Sequence, residues 1–316
     1  MMHRKSPDVR GYLHTQRSDA AGQNPAAQTP IDQTNPLPLV ARASHRHKRP
    51  MVDPIFSNKR RRLNRARVMR APADSRWLLD RMAEDLADRL SFMTLNVTNA
   101  LLIGHGARQL AGTLGAEATL LQCDLAPAPN VHLVADEDRL PIADASVDLV
   151  VACGMLDSVD DLPGALILMR RALRPGGLFL GAMLGAGTLS GLKTVIQTVE
   201  AVSGSQSAVR FHPQIDVRSA GDLLFRAGFS TPVADQDVIS VAYGSFRALR
   251  NDILGAGAGN ALNSRQPMSR ELYSKARAEV DTGHTEVFAP IFLTGWAPDT
   301  GEVKPAGPVK GLGGAF

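Results

Sequence analysis

From Asp74 onwards, short apolar runs alternate with amphipathic stretches. Trp77, Leu78, Met82, Leu86 and Leu90 recur near a helical period, and Asp74 or Ser75 can cap the start of that helix. Leu101–Ile103 reads as a buried strand, Ala107–Leu114 as a helix and Ala118–Gln122 as a second strand. Val131–Val134 is a weaker third strand, and Val147–Ala152 (VDLVVA) a strong fourth. Leu162–Leu173 is amphipathic, and Pro175-Gly176-Gly177 is expected to stop it before a further strand over Leu178–Met183.

The alternation continues towards the C-terminus. Thr188–Val202 predicts a helix. Ser219-Ala220-Gly221-Asp222 reads as a capping box, with Asp in place of Glu, opening a helix that ends at Gly228. A strand over Val238–Ala242, helices over Ser245–Leu254 and Met268–Val280, and a final strand over Val287–Trp296 follow. Strands alternating with helices predict an α/β fold with a mainly parallel, doubly wound sheet.

The 316 residues suit one large domain with additions or two small ones, and 44% hydrophobic content can build a sizeable core. No apolar run approaches the roughly 18 residues that a membrane-spanning helix needs. Two cysteines, Cys123 and Cys153, exclude a disulfide framework and point to a reducing compartment. The localisation expected is cytoplasmic, with the mitochondrial matrix as the alternative if residues 1–50 act as a transit peptide.

Charge divides the chain. Residues 1–50 hold eight Lys and Arg against three Asp, whereas the rest holds 27 basic residues against 28 acidic ones. This first stretch, rich in Pro, Gln, Ala and Ser, is expected to be a disordered leader, with Met51 as a possible true start. Residues 51–73 form a basic arm: Ser57–Arg70 (SNKRRRLNRARVMR) carries seven basic residues and no acid. A solvated face that meets a partner is the expectation for Lys59–Arg70. No aromatic residues interleave with its charges, which argues against nucleic-acid binding. Residues 74–297 make the main domain and 298–316 a flexible Pro/Gly-rich tail.

The candidate chemistry lies where strands end. In an open α/β sheet, ligands bind beyond the carboxyl ends of the strands. Gly104-His105-Gly106 ends the first strand, just before a helix start that offers free N–H groups. Asp124 ends the second strand about 20 residues further on, the spacing at which a carboxylate meets ribose hydroxyls. Asp136 ends the third strand, within ADEDRLPI (Ala135–Ile142), where it can accept from an adenine amine. Each Asp alone reads as a solvated loop carboxylate. The ordered series of strand ends makes the nucleotide reading stronger. Cys153 follows the fourth strand, and it reads as a small buried residue or as part of the crevice wall. Histidines and cysteines are too scattered for a metal site.

Asp124, VADEDRLPI, SVDLVV, LDSVDDLPGALILMRRALRPGGLFLGAML and Trp296 together resemble class I S-adenosylmethionine-dependent methyltransferases. More narrowly, DDLPGAL (Asp160–Leu166), FLGAMLGAGTLSGL (Phe179–Leu192), LLFRAGF (Leu223–Phe229) and NKRRRLNRARV (Asn58–Val68) resemble the methyltransferase-like assembly factors of respiratory complex I. Members of that family are associated with hydroxylating an arginine of a complex I subunit. A broader relative is the malonyl-carrier-protein methyltransferase of biotin synthesis. The resemblance covers residues 53–297. It implies a Rossmann-like fold, a mainly parallel sheet with an antiparallel C-terminal strand and helical additions. It also implies S-adenosylmethionine as cofactor, held by Gly104, His105, Gly106, Asp124, Leu125, Asp136, Glu137 and Cys153.

The departures are specific. The family pattern at the first loop is acid-x-Gly-x-Gly-x-Gly, but Leu102 stands for the acid and Arg108 for the last glycine. Asp157-Ser158 replaces a frequent His-Trp pair, and only Leu125–Asn130 joins the second and third strands, too short for a helical crossover. Two function classes follow. One is an enzyme that methylates or hydroxylates a protein substrate, a complex I subunit by resemblance. The other is a non-catalytic assembly factor with a degenerate cofactor site.

Overall fold

Strand β1 (Asn99–Gly104) is almost wholly buried because its sequence, NALLIG, offers apolar side chains to both faces of a sheet. It pairs in parallel with β2 (Thr119–Asp124) on one side, Leu101 lying opposite Leu121. On its other side it pairs with β4 (Val147–Cys153), Leu101 lying opposite Val150. The computed structural model describes residues 53–115, 117–203, 208–264 and 266–299. The expected leader at 1–50 and all but two residues of the expected tail lie outside these.

Seven strands complete the main sheet in the order β3-β2-β1-β4-β5-β9-β6. The others are β3 (Leu133–Val134), β5 (Leu173–Leu184), β6 (Ser230–Gln236) and β9 (Pro290–Trp296). The first five pair in parallel, whereas β9 runs antiparallel between β5 and β6. No helix links β2 to β3, in line with the shortness of that connection.

The helices follow from sequence pattern and caps. α2 (Trp77–Ser91) buries Leu78, Leu79, Met82, Leu86 and Leu90 along one face. Each fully buried leucine contributes roughly 1.5–3 kcal/mol. α3 (Ala107–Ala111) is shorter than expected and stops where Gly112 follows. α4 (Leu162–Ala172) starts at Asp161, whose carboxylate accepts from Gly164 N. α5 (Ser190–Val202) flanks a small two-stranded antiparallel sheet made of β7 (Ile239–Tyr243) and β8 (His284–Phe288). α6 (Val217–Arg226), α7 (Phe246–Gly255) and α8 (Arg270–Asp281) complete the set, the last two capped by Ser245 and Ser269.

Four local expectations need correction. Pro175-Gly176-Gly177 does not separate helix from strand: β5 starts at Leu173 and carries the motif as an irregularity opposite Val147–Leu149, with Gly176 at φ +73°. α6 starts two residues before Ser219, because Asp216 is the cap and accepts from Ser219 N at 2.8 Å. The run Val287–Trp296 is two strands, parted at Ala289 and placed in different sheets. β6 was not anticipated, since STPVADQ is polar, half exposed and interrupted by Pro232, as an edge strand can be.

Candidate cofactor and substrate site

The glycine loop sits at the carboxyl end of β1, as expected, and its geometry is set by neighbours. Gly104 has φ +93°, and a Cβ there would overlap the Cys153 carbonyl oxygen and Met155 Cγ. Gly106 has φ +122°, and a Cβ there would stand 3.1 Å from Ala83 Cβ on α2. His105 N donates to the Cys153 carbonyl at 3.1 Å, which ties the loop to the end of β4. Asp80, also on α2, organises the loop from above: its carboxylate meets His105 Nε2 at 2.8 Å and accepts from Gln109 Nε2 at 3.0 Å. Burial lowers the His105 pKa below the ordinary value despite the pull of Asp80. Arg108, at the third glycine position, is exposed and only approaches Asp80 at 3.9 Å. Leu102, at the acid position, is fully buried in the core with the α2 leucines.

The acids expected to hold the nucleoside lie together but face protein cations. Helix α1 (Asn58–Arg70) crosses them. Asp124 is fully buried and takes Arg65 bidentately, Nε to Oδ1 at 3.2 Å and Nη2 to Oδ2 at 2.6 Å. Glu137, also buried, accepts from Arg61 Nη2 at 2.6 Å. Asp136 meets Arg62 at 3.5 Å near the surface. Burial works to lower the Arg65 pKa, but the charge and hydrogen bonds of Asp124 outweigh it and leave a net rise. Burial raises the Glu137 pKa more than Arg61 lowers it.

The basic arm is therefore a solvated face only in part: its helix buries Arg61, Asn64, Arg65 and Val68, while Lys59, Arg62, Arg67 and Arg70 stay exposed. Charge alone predicts solvent. Complementary acids at three distant positions overturn that expectation.

Cys153 lies where expected along the chain, but its side chain belongs to the core. Both thiols are buried and free, and burial pushes each up to about 12, so neither is a nucleophile at neutral pH. Leu125 is buried beside Arg61, Asn64 and Arg65 at a cavity of only about 10 Å³. Among the described residues, no group of three or more His, Cys, Asp or Glu could hold a metal. None of their helices is long and apolar enough to cross a membrane.

A second cavity, of about 280 Å³, opens between α5, the segment Arg210–Gln214 and α7. Leu184, Leu189, Leu192, Ile196, Phe211, Ile253 and Met268 give it apolar walls, and Arg210 and Arg250 add charge. Arg210 is anchored by Glu200 at 2.7 Å. Asp157 and His212 line both cavities and so form their common wall. His212 Nε2 accepts from Ala261 N at 2.9 Å, which places the ring proton on Nδ1 in the neutral form. Burial lowers the His212 pKa and raises that of Asp157, each against the pull of the other. Sequence reading did not find Asp80, Arg61, Arg65 or His212 as site residues. Asp157 was noted only as a departure.

S-adenosylmethionine is the cofactor of this fold class, and its fit here can be judged from the acids. Their positions at the ends of β2 and β3 suit a nucleoside, but their acceptor atoms are engaged by guanidinium groups. The cavity beside Arg61, Arg65 and Leu125, of about 10 Å³, cannot admit an adenosine. With Arg61 and Arg65 in place the residues present do not fit the cofactor, and the acids are open to it only once those guanidinium groups have left. The layer is also incompletely satisfied: Arg65 Nη1 and Glu137 Oε1 are buried without a hydrogen-bond partner among the described residues.

A methyltransferase-domain model matches residues 101–181. The human protein named Arginine-hydroxylase NDUFAF5, mitochondrial, is 30% identical over 268 residues, covering 78% of each chain. The Malonyl-[acyl-carrier protein] O-methyltransferase of Laribacter hongkongensis is 31% identical, covering 67% of this chain and 77% of its own. Among solved structures, the 1,6-didemethyltoxoflavin-N1-methyltransferase of Burkholderia thailandensis aligns at a TM-score of 0.43 and 16% identity, covering 79% of this chain and 94% of its own. The parallel sheet closed by an antiparallel β9, the glycine loop before α3 and the similarity along most of the chain agree: the protein belongs to the methyltransferase-fold family that includes the arginine-hydroxylase NDUFAF5 proteins.

Proposed function

We propose that this protein uses S-adenosylmethionine to modify a protein substrate during assembly of respiratory complex I. The observation that carries this reading is the shared wall of Asp157 and His212. It stands between the small cavity beside Arg61, Arg65 and Leu125 and an apolar cavity of about 280 Å³. Such a partition keeps a bound donor and an inserted substrate side chain adjacent but separately held, and alignment with exclusion of water is the main demand of methyl transfer. The apolar walls exclude water, while Arg210, fixed by Glu200, and His212, fixed by Ala261 N, are pre-oriented polar groups. Methyl transfer is the reaction proposed, and arginine hydroxylation, which the relatives' name carries, is its rival.

Two measurements test this. Titration calorimetry with S-adenosylhomocysteine asks whether the full chain binds the nucleoside at all. Incubation with S-adenosylmethionine and complex I subunits, followed by mass spectrometry, separates an added methyl group from an added oxygen atom. No binding at millimolar ligand would remove the enzymatic reading. A second reading, a non-catalytic assembly factor, is favoured by one observation: Arg65 and Arg61 hold the very acids a nucleoside would need. Capture of a complex I subunit by a chain that binds no cofactor would establish it.

A further inference from the structure

α1 docks in an unusual way for a surface helix. Helices normally stay in place by burying an apolar face, but here Val68 is the one apolar residue among the four that α1 buries. Phe56, just before the helix, packs on Ala261 and Leu262, and the remaining attachments are polar. Arg65 and Arg61 pair with Asp124 and Glu137. Asn64 Nδ2 donates to the Gly259 carbonyl at 2.6 Å, Arg60 donates to the Leu262 carbonyl, and Ser57 N donates to the Ala261 carbonyl at 2.8 Å. The buried layer still leaves Arg65 Nη1 and Glu137 Oε1 unpaired among the described residues. A helix held mainly by exchangeable hydrogen bonds can be displaced by a ligand that offers the same acceptors better partners.

A guanidinium and a nucleoside make the same offer. Arg65 presents two N–H groups to the two oxygens of Asp124, as a ribose diol presents two hydroxyls. With Arg65 docked, the cavity beside it is only about 10 Å³, too small for a nucleoside. The segment that receives α1, Gly257–Leu262, also supplies Ala258, Gly259 and Asn260 to the wall of the larger cavity. Movement of α1 therefore reaches both sites.

We propose that α1 is a strap that closes the cofactor site by placing Arg61 and Arg65 on the nucleoside acids, so that strap docking and nucleoside binding exclude each other. This rests on the reading that the acids serve S-adenosylmethionine. The apparent affinity for cofactor is then the intrinsic affinity reduced by the fraction of molecules with the strap open.

A reversible lock tests the proposal in the full chain. A Cβ on Gly259 would lie 3.2 Å from Asn64 Cγ, so Asn64→Cys with Gly259→Cys places two thiols within disulfide reach. The native cysteines are buried and stay out of the exchange. S-adenosylhomocysteine is the probe, by calorimetry. The oxidised lock should abolish binding and reduction should restore it. The pair Arg61→Gln and Arg65→Gln should bind about tenfold tighter than wild type or better. Hydrogen exchange on the unaltered chain needs no substitution: the α1 amides should exchange faster when the ligand is added.

Equal binding by oxidised and reduced lock would overturn the strap. So would slower α1 exchange, or weaker binding by Arg65→Gln, because Arg65 would then be a ligand contact. If wild type binds and the double variant gains nothing, only the strap falls. If neither binds at millimolar ligand, the cofactor reading falls and the exclusion with it.

Discussion

Arg65 and Asp124, 59 positions apart, form a bidentate pair from which solvent is excluded, with contacts of 3.2 and 2.6 Å. The pair joins the N-terminal helix to the end of β2. It makes a strand-end acid, expected from the sequence to meet a ribose, part of the fold. A buried ion pair is costly to break from one side, because the remaining charge has neither water nor partner.

Asp124→Ala should therefore destabilise the protein by about 3–5 kcal/mol, and Arg65→Met by less, since it removes the cation but leaves a carboxylate that can protonate. The double variant Arg65→Met with Asp124→Leu should recover most of the loss. Urea denaturation of wild type, Arg65→Met, Asp124→Leu and the double variant measures the cycle. A near-zero loss for Asp124→Ala would mean that the pair is not buried in solution.

The neighbouring arginines should separate sharply. Arg62 is half exposed, and its contact with Asp136 is long, so Arg62→Glu should cost less than about 1 kcal/mol. Arg61→Glu sets a second carboxylate against Glu137 in a buried layer and should cost several kcal/mol, on the order of a broken buried pair. Equal effects at the two positions, read by thermal and urea denaturation, would return α1 to the role of a solvated arm.

Leu102 decides whether the missing family acid can be restored. It is packed with Leu79, Met82 and Leu149 in the core, and no ligand-facing surface is left to it. Leu102→Asp should lose several kcal/mol through an unpaired buried carboxylate and gain no cofactor affinity. Leu102→Ala, as the control, should cost about 2–5 kcal/mol through its cavity. A stable Leu102→Asp chain with improved S-adenosylhomocysteine binding would show that the loop faces the ligand after all.

Acidification supplies a signed test. Burial holds the pKa values of His105 and His212 below the ordinary value, against Asp80 and Asp157 respectively. A histidine depressed on folding stabilises the native state above its unfolded pKa of about 6.5. That contribution is lost as pH falls through the depressed value. Stability should thus decline below about pH 6.5. Glu137 and Asp157, whose pKa values are raised, act in the opposite sense, so the comparison must be with His105→Gln and His212→Gln. Each variant should show a shallower decline than wild type. Parallel curves would assign the pH dependence to other groups.

Much of the fold is legible locally. NALLIG, VDLVVAC and the later half of β5 are apolar enough that no partner except a sheet interior suits them, and their order gives the doubly wound sheet. Asp124, Asp136 and Glu137 can be located at the ends of β2 and β3 because strand ends and spacing are local properties. β6 escapes such reading, since an edge strand buries little and takes its order from β9. The split at Ala289 escapes it too: Val287 and Phe288 at the end of β8 run into the apolar β9 with no break in hydrophobic pattern, and only different partners part them.

The sequence by itself determined where strands end, which carboxylates stand there, and which family the motifs resemble, because those follow from neighbours along the chain. The tertiary structure alone decided what the carboxylates touch. A run of seven basic residues says only that charge must be solvated or paired. Which of these happens depends on acids about 60–75 positions away, brought beneath α1 by the packing of a sheet. The free energy of burying a guanidinium is set by that encounter, not by the residues beside it in the chain.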